Sequence, residues 1–83
     1  MPDHPLLDSR LKLRQLRLVV ALDTHRGLGR AAAAMALTQP AASRMLAEAE
    51  RALGLSLFQR LPRGMAPTAY GEVLVRRARS ILA

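Results

Sequence analysis

The sequence predicts a mostly α-helical domain: three helices, a small β-hairpin and then a fourth helix. Helical signals fall in four separate stretches of the 83 residues. A short alternating stretch holding the only Phe lies between the third and the fourth. Only about two or three residues part the second helix from the third, and helices joined by so tight a turn form a helix-turn-helix unit. With the hairpin as its wing, the predicted fold class is a winged helix-turn-helix.

Residues 1–12 combine Pro2, Pro5, Asp3, Asp8 and Ser9 without a sustained period, so they read as an irregular lead-in. From Leu13, the residues Leu13, Leu16, Val19 and Val20 recur at helical spacing with Arg14, Gln15 and Arg17 between them. This first helix is expected to stop near His25-Arg26-Gly27, with Gly27 just past its end. A second, short helix is expected over Arg30-Ala31-Ala32-Ala33-Ala34-Met35, because Ala has the best helix propensity and lets another helix approach closely.

Thr38-Gln39-Pro40 is a fresh start: Thr38 is a good N-cap, and Pro40 falls in the first turn, where a missing N–H costs nothing. The third helix should run to Leu53 and end at Gly54. Then comes Leu55-Ser56-Leu57-Phe58-Gln59-Arg60, followed by Leu61-Pro62-Arg63-Gly64, where Pro second and Gly fourth favour a type I turn. Met65-Ala66 is the short return strand, kept at an edge by Pro67. Thr68 can cap a fourth helix carrying Tyr70, Val73, Leu74, Ala78, Ile81 and Leu82, with Arg76, Arg77 and Arg79 facing elsewhere. The helical pattern is still running at Ala83, which predicts that the chain is the N-terminal piece of a longer protein.

Thirteen Lys and Arg against six Asp and Glu give a net charge of +7, and a polyanion is the partner such a surface attracts. A chain this short buries only about 60–65% of its unfolded surface, which leaves little room for a deep catalytic cavity. Without Cys, neither a disulfide nor a thiolate site can form. No apolar run approaches the roughly 18 residues needed to span a bilayer, and no secretory leader pattern is present, so a cytoplasmic location is expected.

At 100° per residue, Ala42, Leu46, Ala49 and Leu53 of the third helix share an arc of about 60°, the expected core face. The opposite side carries Pro40, Ser43, Arg44, Ala47 and Arg51, with Gln39 exposed at the start. Such a slim helix fits a major groove about 12 Å wide. Gln39 suits the N6 and N7 edge of adenine, Arg44 suits guanine or a phosphate, and Ser43 suits phosphate oxygens. In the hairpin, Arg60 and Arg63 flank a tight turn that would place a cation in a minor groove or against the backbone. Tyr70, Leu74, Ala78 and Ile81 fit either pairing of the fourth helix with its copy in a dimer or packing against the first helix.

Enzyme readings find little. His4 lies in the lead-in and His25 at a helix end, carboxylates do not cluster, and no metal-ligand spacing occurs. Ser43 has no candidate base nearby, and the glycines fit no phosphate cradle. No catalytic residue, metal or cofactor is expected.

The ordered series Leu13-Arg14-Gln15-Leu16, Arg30-Ala31-Ala32, Thr38-Gln39-Pro40-Ala41-Ala42-Ser43-Arg44, Leu53-Gly54, Leu57-Phe58, Arg63-Gly64 and Thr68-Ala69-Tyr70-Gly71 resembles the N-terminal domain of LysR-type bacterial transcriptional regulators. The resemblance spans about Leu13 to Ala83. It implies a DNA-binding winged helix-turn-helix over 13–68, and over 69–83 the start of a linker helix that mediates dimerisation. It also implies a C-terminal domain, absent here, that senses a small-molecule inducer, and binding as a dimer or higher oligomer to imperfect inverted repeats of double-stranded DNA. Its DNA contacts carry over to Gln39, Pro40, Ser43 and Arg44, and to Arg63 in the wing; Thr38, Arg60 and Arg30 complete the candidate set. Members usually have Ser or Thr where this chain has Gly27 and Gly29. Pro67 replaces a commoner aliphatic residue, from which a shortened return strand is expected.

Overall fold

In a computed structural model that describes residues 11–83, the first helix, α1 (Leu13–His25), is the element around which the rest assembles. It packs against the second helix, α2 (Leu28–Ala34), the third, α3 (Gln39–Leu53), and the fourth, α4 (Ala69–Leu82). Contact on several sides explains why its buried set, Gln15, Leu16, Leu18, Val19 and Leu22, is broader than one stripe. Leu13 differs from expectation: it falls outside the arc that Gln15, Leu16, Leu18, Val19 and Leu22 share and is 45% exposed. Of the lead-in expected over 1–12, Leu11 and Lys12 lie outside any helix or strand as read, although Leu11 is buried in the core. Positions 1–10 lie outside the described residues.

The left-handed residue that ends α1 is Arg26 (φ 54°) rather than Gly27. Gly27 is extended and serves as the N-cap of α2, so the chain turns one residue before the glycine. Arg26 offsets its backbone cost with bonds to its own turn: Nε donates to the Asp23 carbonyl at 2.8 Å and Nη2 to Asp23 Oδ1 at 3.0 Å. Helix α2 accordingly starts at Leu28, two residues before the expected Arg30.

The turn between α2 and α3 is Met35–Thr38, slightly longer than the two or three residues expected, because Ala36 takes a left-handed conformation (φ 57°). Leu37 N–H donates to the Ala32 carbonyl at 2.8 Å, and Ala36 N–H to the Ala33 carbonyl at 3.1 Å. These two bonds form a Schellman motif that satisfies the last carbonyls of α2. The chain re-enters a helix at Thr38, whose Oγ1 accepts from Ala41 N–H at 3.2 Å. Gly54 (φ 72°) ends α3 as expected.

Strands β1 (Phe58–Leu61) and β2 (Gly64–Pro67) form an antiparallel hairpin paired from Phe58–Pro67 to Leu61–Gly64. Pro67 ends β2 in register without shortening it: a terminal residue of a two-stranded edge can do without an amide donor. Gly64 (φ 94°) is required twice over, by its conformation and because a Cβ there would collide with the Arg26 carbonyl oxygen. That same carbonyl accepts Met65 N–H at 3.0 Å, which ties the wing to the α1–α2 corner.

Candidate nucleic-acid interface

The core face of α3 lies where its periodicity put it, with Ala42 (0% exposed), Leu46 (7%) and Ala49 (1%) against the other helices and Leu53 half-buried. Opposite them Gln39, Pro40, Arg44, Ala47 and Arg51 are exposed, and Ser43 is half-buried. No carboxylate among the described residues lies within ion-pair distance of Arg44. Because Thr38 uses its hydroxyl oxygen to cap the helix, its first task is to hold the N-terminus of α3 in place. Alongside that start, α2 approaches closely: a Cβ built on Gly29 would stand 3.2 Å from Gln39 Oε1.

Arg30 is tied back into the protein, with Nε and Nη2 donating to the His25 carbonyl at 3.2 and 3.0 Å. This neutralises the negative end of α1. In the hairpin, Arg60 is exposed on β1 and Arg63 is exposed in the two-residue connection. Pro62 and Arg63 both keep negative φ, as a type I turn requires.

Two side chains hold the wing, and sequence reasoning passed over the first of them. Glu50, on α3, accepts Leu57 N–H at 2.7 Å and Phe58 N–H at 3.3 Å through Oε2. Thr68 accepts Gly71 N–H at 3.1 Å and donates its hydroxyl toward the Ser56 carbonyl at 2.7 Å, with the Leu57 carbonyl at 3.2 Å. Its own N–H bonds the Leu57 carbonyl at 2.9 Å. Gly71 completes this joint, since a Cβ there would collide with the Leu57 carbonyl oxygen. The Thr68 cap was legible; Glu50 reads in sequence as one more surface charge.

The four dimerisation candidates are divided. Leu74 (5% exposed) and Ala78 (0%) are part of the chain's own core, in the helix that packs on α1, so they are not free for a partner. Tyr70 is 62% exposed and Ile81 half-buried, and Val73, which was not among the candidates, is 44% exposed. Near the other end of α4, Arg79 Nη2 reaches Asp23 Oδ2 at 2.8 Å and Thr24 Oγ1 at 3.2 Å, pinning the helix to α1.

An open groove of about 370 Å³ is lined by Asp23, Arg26, Pro67, Glu72, Val75, Arg76 and Arg79, none of them from α3. Among the described residues no three His, Asp or Glu converge as metal ligands, and no helix is long and apolar enough to cross a membrane.

Comparison with known proteins gives this arrangement a context. Residues 13–72 match the family model described as "Bacterial regulatory helix-turn-helix protein, lysR family". The HTH-type transcriptional regulator GbpR of Azospirillum brasilense is 52% identical over 81 residues, covering 98% of this chain and 24% of that protein. The SDS degradation transcriptional activation protein of Pseudomonas sp. (strain ATCC 19151) is 46% identical over 70 residues, 84% of this chain and 23% of that protein. The chain thus spans about a quarter of the length of these curated relatives.

Among solved structures, the CbnR DNA-binding domain in complex with DNA superposes with a TM-score of 0.82 at 32% identity, covering 87% of this chain and 83% of that one. The BenM DNA-binding domain on benA site 1 DNA gives a TM-score of 0.82 at 30% identity, covering 87% and 81%. The four helices and the hairpin therefore make a winged helix-turn-helix, and the chain belongs to the lysR family of bacterial regulatory helix-turn-helix proteins.

Proposed function

We propose that the chain binds double-stranded DNA sequence-specifically, with α3 in the major groove and the hairpin against the minor groove or backbone, as the reading head of a transcriptional regulator. The observation that carries this is the division of α3: its apolar side is consumed by the core, while Gln39, Pro40 and Arg44 stand exposed on a slim N-terminal half. Support also comes from the two fold neighbours named above, which were solved in complex with DNA. Gln39 reads a base edge, Arg44 a guanine or a phosphate, and Ser43 and Pro40 line the closest approach. Arg63, with Arg60 beside it, meets the minor groove or backbone. Thr38 and Arg30 hold the helix ends and act on DNA indirectly.

The partner surface on α4 is Tyr70, Val73 and Ile81, which recur on one side of the helix and remain at least partly exposed. Through it a second copy joins, so that two α3 helices meet the half-sites of an imperfect inverted repeat. In the whole protein, a C-terminal domain answering a small-molecule inducer regulates this binding, in the bacterial cytoplasm where the chromosome lies.

The test begins with sequences selected from a random duplex pool, followed by affinity measurement with single base-pair changes. Gln39→Ala should lower discrimination at one base pair by roughly 1–3 kcal/mol. Equal loss on selected and random duplexes would remove Gln39 from base reading, and absence of any saturable complex would sink the DNA reading altogether.

A further inference from the structure

We propose that Gly29 is a specificity-determining position: the missing side chain there seats the Gln39 carboxamide, and so sets how Gln39 presents itself to a base. The inference rests on the reading of α3 as the helix that meets DNA, and it assigns Gly29 a positioning role, with no contact of its own to a base.

A Cβ at Gly29 would stand 3.2 Å from Gln39 Oε1 and 4.0 Å from Cδ. The first distance is tighter than ordinary van der Waals contact, so the end of the Gln39 side chain lies back over the first turn of α2 and would have to give by a few tenths of an ångström to admit a Cβ. Gln39 is exposed and no hydrogen bond to another described residue holds that carboxamide, so the room left at Gly29 bears on where it rests.

Nothing else in the fold asks for glycine at this position. Gly29 is exposed and helical and, unlike Gly54 and Gly64, has no positive φ. Within α2, Ala would favour the helix. Gly27 differs: a Cβ there would meet Arg30 Nη2 at 2.7 Å, and that guanidinium already bonds the His25 carbonyl. The glycine that folding does not explain is therefore the one whose space is taken by a candidate base-reading side chain.

The experiment compares parent, Gly29→Ala, Gln39→Ala and the double variant on a duplex selected by the parent. Each is titrated against the same duplex changed at the base pair that Gln39→Ala identifies, and against random duplex. A Cβ moves the carboxamide by a few tenths of an ångström without removing it. Gly29→Ala should therefore lower discrimination at that pair about three- to tenfold, less than removal of a whole bidentate pairing. In the Gln39→Ala background it should change nothing, and affinity for random duplex should stay level in both.

Gly29→Ser, which adds the same Cβ and a hydroxyl, should also alter the preference at that pair and leave the others alone. Unchanged discrimination in Gly29→Ala would overturn the proposal, as would an equal fall in both backgrounds, since Gly29 would then act by another route. A parent that discriminates at no base pair would instead overturn the DNA reading beneath it, and the two failures are told apart by the parent alone.

Discussion

Glu50 is the side chain whose removal most directly tests how the wing is held to α3. Its Oε2 accepts two successive amides, Leu57 N–H at 2.7 Å and Phe58 N–H at 3.3 Å, and both residues are buried, at 1% and 5% exposure. A net hydrogen bond to a charged group contributes roughly 1.5–3 kcal/mol, and the longer bond adds less than the shorter. Glu50→Ala should therefore cost about 2–3 kcal/mol, slightly offset by the helix propensity of Ala. At this chain length each 1 kcal/mol moves Tm by about 4–8 °C, so a fall of roughly 10–20 °C is expected by far-UV circular dichroism. Glu50→Gln keeps one carbonyl acceptor in place but loses the charge, and should cost about half as much. Refutation would be Glu50→Ala within about 0.5 kcal/mol of the parent, the usual range for an ordinary surface change. Equal losses for Ala and Gln would show that charge, not an acceptor, matters at this position.

Other perturbations test neighbouring parts. Gly71→Ala sets a helix gain of up to about 1 kcal/mol against overpacking of about 1–3 kcal/mol at the Leu57 carbonyl; net destabilisation in urea titration is expected, and a stabilised variant would contradict the close approach. Ala36→Gly should stabilise slightly, by up to about 1 kcal/mol, because a left-handed Ala costs roughly 1–2 kcal/mol and the flexibility of Gly returns part of it. Arg63→Ala should weaken binding to selected and random duplexes alike and reduce the log–log salt slope by about 0.9 for each phosphate that is no longer neutralised. An unchanged slope with unchanged affinity would take the wing off the DNA.

The features legible in the sequence were those fixed by short-range chemistry. Thr38, Pro40 and Gly54 bound α3 because capping and left-handed conformations depend on the residue itself. Ala42, Leu46 and Ala49 follow from helical period alone. Misreadings arose where a distant element decides. Gly27 looked like a helix stop, yet the reversal falls on Arg26, whose carbonyl is claimed by Met65, far along the chain in the wing. Leu74 and Ala78 share a helical stripe with residues that stay exposed, and periodicity cannot say which stripe α1 covers. Glu50 could not be singled out, because its partners lie beyond the glycine that ends its own helix. Of the site, Gln39, Pro40 and Arg44 emerge exposed as read, whereas Arg30 is drawn into an internal bond that no spacing rule foretells.

The ties between elements concentrate at a few carbonyls. The Arg26 carbonyl receives β2, the His25 carbonyl receives Arg30, and the Leu57 carbonyl receives Thr68. Each lies at the end of a regular element or just outside one, where a backbone acceptor lacks a partner of its own and is costly to leave unmet. Small residues, Ala31, Ala32, Ala42, Ala49 and Ala78, make up much of the core and let the helices approach closely, at the expense of apolar area. Hydrogen bonds at the corners therefore carry a share of stability that a larger domain would draw from packing. The same corners set the angle between wing and helix, so substitutions at Glu50, Gly64 or Gly71 should alter DNA affinity without touching DNA. The exposed side of α3 can vary freely, because nothing in the fold leans on it.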